Sequence, residues 1–169
     1  MTIIATIAIG LLGVGVALFA VLYQVKSQRK ALGVEILLKL VDTFFKDMKK
    51  EERCIAVNVI PDIRGGEWHG DKDEVEDVLD FFDFVGALAR KGILDKELVW
   101  HEFFYWIYGY YDRTQDHIKE YQRTKATVVW EDLSWLYQEL IYIERGKRGE
   151  IDAVEWKDFV DEEKKICGV

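Results

Sequence analysis

The chain has 169 residues, of which 50% are hydrophobic and 32% are charged, so its composition is that of a folded protein of about one domain. The formal net charge of -8 at pH 7 argues against a protein that binds nucleic acid through bulk electrostatics. The two cysteines, Cys54 and Cys167, are too few for a disulfide scaffold or a cysteine-based zinc module. We therefore expect no nucleic-acid partner.

The start of the chain has the composition of a membrane anchor. Residues 3–23 contain no charged residue. As a helix they would be about 31 Å long, which matches the roughly 30 Å hydrocarbon core of a bilayer. A cleaved signal peptide would need basic residues before the apolar stretch and a small-residue cleavage site after it, and the sequence has neither. We predict an uncleaved transmembrane helix over residues 1–25.

Basic residues follow the apolar stretch at once, at Lys26, Arg29 and Lys30, and none precedes it. The positive-inside rule therefore places the C-terminal side in the cytoplasm and the short N-terminus outside. Charge is also segregated along the chain: residues 1–50 carry seven basic and three acidic residues, whereas residues 51–169 carry sixteen and twenty-eight. We predict a single-pass protein of the cell inner membrane, with an acidic cytoplasmic part that stands off anionic lipid.

Small residues recur within the apolar stretch at spacings of four and three. Small side chains let two helix backbones approach closely in lipid, so the pattern indicates contact with a second helix, of another copy or of another membrane protein. The alternative is that glycine and alanine are simply frequent in membrane helices. This small-residue face consists of Thr6, Gly10, Gly13, Ala17 and Ala20.

Residues 26–60 are predicted to form basic juxtamembrane helices. Apolar residues recur at helical spacing from Leu37 to Phe44, and this stretch either continues the membrane helix as one rod or breaks near Gly33. A shorter helix follows and runs towards Pro61. In that helix Cys54 falls on the apolar face and is expected to be a small core residue rather than a reactive thiol.

Residues 71–169 are predicted to form an acidic helical bundle, because their apolar residues recur every three or four positions. The capping pair Asp71 and Glu74 begins a helix, and Gly92 is the expected glycine just after its end. Asp95 is the predicted N-cap of the next helix. So short a connection predicts an antiparallel hairpin.

Two further helices complete the predicted bundle. One covers about residues 129–145, and the other follows a second capping pair, Asp152 with Glu155. No segment shows the alternation and turn signals of a sheet. The predicted fold is therefore all-α, with a single N-terminal transmembrane helix followed by a small cytoplasmic bundle of about five helices.

The densest feature of the sequence is an aromatic run at residues 100–111, with eight Phe, Trp or Tyr in twelve positions. One inward stripe cannot contain them all. The surplus either forms a partner-binding surface or a pocket, or packs inside the bundle around a central helix. The inward stripe is predicted to be Leu98, Val99, Phe103, Trp106, Ile107 and Tyr110. The partner-binding candidates are Trp100, Phe104, Tyr108 and Tyr111, together with Trp68 in the glycine-rich loop.

The sequence has no phosphate-binding glycine loop, no zinc-protease motif and no nucleophile elbow. We therefore predict no catalytic residue, no metal and no cofactor. Asp112, Arg113, Asp116 and His117 form a polar cluster, which is either a carboxylate–imidazole site or, as we favour, the solvated end of a helix. The acidic residues at 73–83 are likewise expected to form a wet face.

A family resemblance follows from the packing residues of the hairpin. Residues 77–118 resemble a widespread group of uncharacterised bacterial proteins that is catalogued as a domain of unknown function. The similar elements are Leu79 to Phe82, the elbow Gly92 to Asp95 and the aromatic stretch Trp106 to Tyr111, and residues 130–140 are similar to the next helix of that group. The resemblance implies an N-terminal membrane helix and a helical soluble part. It implies no catalytic residue.

Two hypotheses follow. The first is a membrane-anchored helical interaction module, an accessory subunit of a membrane complex, whose partner is another membrane protein or a second copy. The second is a membrane-tethered effector or enzyme, with an aromatic pocket near Asp112, Asp116 or His117 that binds a small ligand or a metal. We favour the first because no catalytic motif is present.

Overall fold

The computed structural model is helical throughout the part of the chain that it describes. It describes residues 2–47, 53–56, 73–125, 128–149 and 156–167, with side chains from Phe19 onward in the first helix and at 158, 159 and 161–165 in the last. No strand occurs in these ranges, so the all-α class is confirmed. The helices are α1 (Thr2–Asp42), α2 (Asp73–Arg90), α3 (Lys96–Thr124), α4 (Glu131–Arg148) and α5 (Trp156–Cys167).

The first helix, α1, is one continuous rod without a break at Gly33, so the first of the two predicted alternatives is right. A π-helical turn at Thr43–Asp47 ends it. Its 41 residues span about 61 Å. No helix among the described residues is both long enough and apolar enough to cross a membrane. The anchor over residues 1–25 therefore stays a prediction.

The inner end of α1 belongs to the hydrophobic core. Leu37 and Phe44 are 5% and 0% exposed. Gly33 permits the approach of α1 to the bundle, because a Cβ at this position would lie 2.4 Å from the carbonyl oxygen of Ile93. The predicted apolar stripe of this stretch is thus confirmed where the structure describes it.

The predicted hairpin of α2 and α3 is confirmed. Gly92 follows α2 with a φ of 68°, the left-handed conformation that glycine adopts without strain. Asp95 caps α3, and its Oδ1 accepts a hydrogen bond from the backbone N–H of Glu97 at 2.9 Å. The capping residue Asp71 lies outside the described residues, and α2 begins at Asp73.

The inward stripe of α3 is confirmed except at one position. Leu98 is 41% exposed, because it is turned by about 100° from the fully buried Val99 and lines the groove beside α1 instead of facing the core. The buried members of the stripe are Val99, Phe103, Trp106, Ile107 and Tyr110.

Two glycines let neighbouring helices pack closely on the hairpin. A Cβ at Gly86 of α2 would lie 2.4 Å from the carbonyl oxygen of Asp132 at the start of α4. A Cβ at Gly109 of α3 would lie 2.4 Å from the ring of Phe159 in α5, which is fully buried. The position of α3 between α2, α4 and α5 makes it the central helix of the bundle.

The last two helices differ from the predicted bounds by a few residues. The structure begins α4 at Glu131 and ends it at Arg148, before Gly149 with a φ of 86°, so the helix runs past Gly146. The second predicted capping pair lies outside the described residues.

Candidate interaction site

Four of the five surplus aromatic residues of α3 lie towards α4, and all five are half-buried. The fifth, Tyr105, packs against Phe159 of α5, with ring centroids 5.6 Å apart. Phe104 and Tyr108 are neighbours, with ring centroids 5.7 Å apart. Such partly covered rings keep an exposed edge while most of the ring is removed from water. The environment of each ring therefore depends on the α4 side chains that lie next to it.

Trp100 is held by polar and charged side chains of α4. Its indole Nε1 donates a hydrogen bond to Oε2 of Glu144 at 2.8 Å, and Glu144 is only 5% exposed. Lys147 Nζ lies 4.8 Å from the centre of the Trp100 ring, and the Arg148 guanidinium lies 5.5 Å away. These cation–π distances indicate an intramolecular anchor for the tryptophan.

Tyr108 and Tyr111 stack on one ring of α4, that of Tyr137. The centroid distances are 6.0 Å for Tyr108 and 4.2 Å for Tyr111. Burial, with smaller contributions from Tyr108 and Asp112, raises the pKa of Tyr137 to about 12. Burial also raises the pKa of Tyr108. The phenols of Tyr108 and Tyr137 therefore stay neutral to a higher pH than a free tyrosine does.

Four of the surplus aromatic residues therefore contribute to the contact between α3 and α4, as the second interpretation of the aromatic run proposed. We call these four residues of α3, together with Tyr137 of α4, the aromatic interface. Their half-exposed edges form a continuous strip along the outside of the bundle, and a partner-binding role for that strip stays a prediction. Trp68 lies outside the described residues. The aromatic interface consists of Trp100, Phe104, Tyr108, Tyr111 and Tyr137.

The predicted polar cluster at the end of α3 is divided between solvent and bundle. The side chain of Asp116 is 90% exposed. His117, in contrast, is 11% exposed, and its Nε2 lies 3.5 Å from Oε1 of Glu76 on α2. Arg113 is 15% exposed and its Nε lies 3.7 Å from Asp112. Only part of the cluster is the solvated helix end that we expected.

The acidic face of α2 is not only solvent-exposed, because two of its carboxylates form hydrogen bonds at the start of α4. Asp80 accepts a hydrogen bond from Nε1 of Trp130 at 2.7 Å, and Asp83 accepts one from the backbone N–H of Leu133 at 2.8 Å. The two carboxylates therefore hold the start of α4, where the N–H groups lack helical partners. Burial raises the pKa of Asp83. The described residues contain no group of three or more side chains arranged to hold a metal ion.

Sequence reasoning missed a buried ionic cluster that joins three segments. Arg53 is 1% exposed; its Nη2 lies 2.7 Å from Oε2 of Glu163 on α5, and its Nη1 donates to the carbonyl oxygen of Phe44 at 2.9 Å. The guanidinium also lies 3.9 Å from the centre of the Phe44 ring. Tyr110 donates its hydroxyl to Oε1 of Glu163 at 3.1 Å. We call Arg53, Glu163 and Tyr110 the buried ionic cluster.

The electrostatics of this cluster follow from its burial. Loss of water raises the pKa of Glu163, and the positive charge of Arg53 opposes that shift. Burial raises the pKa of Tyr110 as well. The available sequence signal was the position of Glu163 four residues after Phe159, which places a carboxylate on the same helix face as a core residue. Such a carboxylate needs a buried partner.

Cys54 departs from the prediction of a small core residue. It is half-buried and forms a disulfide bond. It follows Arg53 directly, so the covalent link and the buried ionic cluster secure the same short segment. A disulfide is typical of oxidising compartments.

The outer part of α1 is largely exposed in the described region. Phe19, Leu22 and Tyr23 are 72%, 68% and 69% exposed. Ala20, the last member of the small-residue face, is exposed among them. The side chains of Thr6, Gly10, Gly13 and Ala17 lie outside the described ones, so the contact predicted for this face stays a prediction.

Comparison with known families decides where the chain belongs. A family described as a domain of unknown function, DUF4760, matches residues 7–140, which is most of the chain. The chain belongs to this family. The DUF4760 match includes most of α1, all of α2 and α3 and the first half of α4, so the resemblance seen in the packing residues is confirmed. Neither the curated proteins nor the solved structures that were compared contain a match.

Proposed function

We propose that this DUF4760 protein is a single-pass, membrane-anchored helical interaction module that acts as an accessory subunit of a membrane protein complex. One observation carries the proposal: large apolar side chains are exposed on opposite sides of α1 where the helix leaves the bundle. An exposed apolar surface of this kind marks a contact with lipid or with another protein. The residues before it form a hydrophobic stretch of the right length to cross a bilayer.

The exposed side chains do not lie on one helix face. Successive residues of a helix are turned by about 100°, so Phe19, Leu22 and Tyr23 lie on one side of α1 and Val21 lies on the opposite side. All four are more than half exposed. A helix that packs on a single protein partner would need only one apolar stripe. Exposed apolar residues on opposite sides of α1 favour lipid as the surrounding medium.

The orientation rests on charge asymmetry, and one feature of the bundle opposes it. Lys26, Arg29 and Lys30 favour a cytoplasmic bundle. The disulfide of Cys54 favours an oxidising compartment instead. We follow the charges, because a pair of cysteines at bonding distance stays reduced in a cytosol maintained by glutathione and thioredoxin.

Two surfaces support recognition of a partner. The small-residue face would allow close contact with a second membrane helix. The exposed edges of the aromatic interface offer Trp and Tyr, the residue types most enriched at binding hot spots. The aromatic interface lies outside the deeply buried core, so a partner would contact it without unfolding the bundle.

Insertion and topology are tested together in intact bacterial cells. In a chain with both native cysteines changed to serine, Thr2→Cys should react with an impermeant maleimide from outside. Tyr142→Cys is the matched probe, because Tyr142 is 79% exposed on α4. It should react only after lysis. The reverse pattern would overturn the orientation, and release of the full chain by alkaline carbonate would overturn the anchor.

Partner contact is tested by leucine substitution on opposite sides of the same helix. Gly10→Leu should reduce cross-linking of the full chain to its membrane partner, because the larger side chain separates the two backbones. Gly15→Leu is the control: position 15 falls on the opposite face of an ideal helix. Equal cross-linking in both variants and the natural chain would assign the small residues to composition alone.

A further inference from the structure

A groove lies between α1 and the connection of α2 to α3. It has a volume of about 670 Å³. One wall is the α1 segment from Lys26 to Val34, and the other runs from Gly92 through the first turn of α3 to Leu98. The close contact of Gly33 with Ile93 ends the packed part of the interface, so the groove opens on the side towards the uncharged stretch of α1.

Three cations project from α1 at this groove. Lys26 is seven residues and Arg29 is four residues before Gly33, so both lie on the helix face that packs on the bundle, and Lys30 has the same relation to Leu37. Within the described residues, no carboxylate lies within ion-pair distance of Lys26, Arg29 or Lys30. Their charge is therefore available to a ligand.

The acidic residues of the groove are engaged elsewhere. Asp95 accepts the backbone N–H groups at the start of α3, and Glu97 pairs with Lys147 at 3.2 Å. The remaining cation, Lys96, pairs with Glu139. The three α1 cations are thus the cations of the groove that have no ion-pair partner among the described residues.

The walls of the groove are amphipathic. Val34, Ile93 and Leu98 line it and are 42%, 39% and 41% exposed, which leaves apolar surface next to the three cations. Inorganic phosphate would use only the cations. A phosphate that carries an organic substituent would also contact the apolar walls.

The depth of the groove matches that of lipid headgroups if the proposed anchor is correct. Lys26 lies about 4.5 Å and Lys30 about 10.5 Å beyond Tyr23 along the helix axis. The headgroup layer occupies roughly the first 5–8 Å outside each face of the hydrocarbon core. Lys26 would therefore lie at the level of the phosphates of the same leaflet. Lys30 would lie just beyond the headgroup layer, and its long side chain, which is tilted towards the N-terminal end of the helix, would reach back to the phosphates.

We propose that this groove is a binding site for the headgroup of an anionic phospholipid, which holds the bundle against the membrane in one orientation. Lys26, Arg29 and Lys30 bind the phosphate. The groove wall of Val34, Ile93 and Leu98 lies farther from the membrane and contacts the headgroup substituent beyond the phosphate. The inference rests on the proposed membrane anchor, and it adds a specific lipid contact to that function.

The test uses the purified full chain in nanodiscs or micelles, with native mass spectrometry of retained lipid. Phosphatidylglycerol should be retained in preference to phosphatidylcholine. The triple variant Lys26→Gln, Arg29→Gln, Lys30→Gln should lower the phosphatidylglycerol affinity by about 100-fold. The matched triple variant Lys119→Gln, Arg123→Gln, Lys125→Gln removes the same charge from the far end of α3 and should leave it unchanged.

A second pair of variants separates a groove from a merely basic helix. Leu98→Glu places a carboxylate in the groove without altering any cation and should weaken phosphatidylglycerol binding. Val128→Glu makes the same change of charge at a side chain that is 70% exposed elsewhere, and should have no effect. If Leu98→Glu binds like the natural chain, the groove is not the site.

The remaining outcomes are also decisive. Displacement of the lipid by inorganic phosphate at matched ionic strength would assign the cations to a soluble anion and overturn the lipid site. Insertion into pure phosphatidylcholine vesicles is measured in parallel by carbonate extraction. A chain that inserts there but shows no preference for phosphatidylglycerol contradicts this inference alone, whereas a chain that does not insert contradicts the anchor.

Discussion

The outer half of α1 is richer in apolar residues than the inner half, and the two halves have opposite surroundings. Around Phe19 to Tyr23 apolar side chains on opposite sides of the helix are largely exposed. From Gly33 to Phe44, in contrast, the apolar residues Leu37, Leu40 and Phe44 form a buried stripe, and Leu38 on another side is exposed. The backbone is the same uninterrupted helix in both. What differs is whether polar residues alternate with the apolar ones. A one-sided stripe needs a protein core, and apolar residues exposed on opposite sides of a helix need lipid or a partner.

The largest expected difference between the halves is at their phenylalanines. Phe44→Ala should destabilise the bundle by about 3–5 kcal/mol, because the ring is fully buried against other aromatic side chains and its loss leaves a cavity. Phe19→Ala should change bundle stability by less than about 0.5 kcal/mol, because Phe19 is 72% exposed. Thermal and denaturant melts of the full chain in detergent measure both. Equal losses would show that the outer half also packs on the bundle.

The buried ionic cluster provides the next comparison, because it docks on the inner end of α1. Arg53→Met should cost about 3–5 kcal/mol, since it leaves the carboxylate of Glu163 buried without its cation. The double variant Arg53→Met, Glu163→Leu should recover most of this loss, because no charge then remains in the core. Urea melts give both free energies of unfolding. A double variant as unstable as the single one would mean that packing geometry, and not charge, decides this contact.

A smaller effect is expected where the two halves of α1 meet. Gly33→Ala should destabilise the docked bundle by about 1–3 kcal/mol, because the new Cβ would overlap the backbone of Ile93. Gly146→Ala is the control, since its Cβ would meet nothing within 4 Å. That change should stabilise α4 by about 0.5–1 kcal/mol through helix propensity. If Gly33→Ala also stabilises the protein, α1 is not docked as described.

The smallest expected effect is a pH dependence confined to the bundle. The folded-state pKa of Tyr137 is about 12, above the ordinary value of 10.0. Between these two values the unfolded chain has released a proton that the folded chain retains, so stability should be complete below pH 10 and should fall as the pH rises towards 12. Tyr137→Phe should flatten part of this decline. Melting temperatures across the alkaline range, with tyrosinate absorbance, provide the measurement, and identical curves for both proteins would contradict the burial of this phenol.

Local interactions within short segments were predictable from the sequence. The end of α2 at Gly92, the capping of α3 by Asp95 and the buried stripe of α3 depend on residues a few positions apart, and all three are confirmed. The same reasoning was wrong at Leu98. Leu98 is turned by about 100° from Val99, which places it at the edge of the stripe, and only the packing of α1 shows that this edge borders a groove and not the core.

Tertiary structure decided the contacts between residues far apart in the chain. Arg53 and Glu163 are 110 positions apart, and neither has a local pattern that identifies the other. The aromatic interface is a similar case. The sequence showed that α3 has more aromatic residues than one stripe can hold, but only the position of α4 shows that two of them stack on Tyr137. The sequence alone determined that the chain is helical, acidic and apolar at its start. Which buried charges form an ion pair, and which aromatic rings stack on each other, depends on how the helices pack. No local sequence pattern specifies that packing.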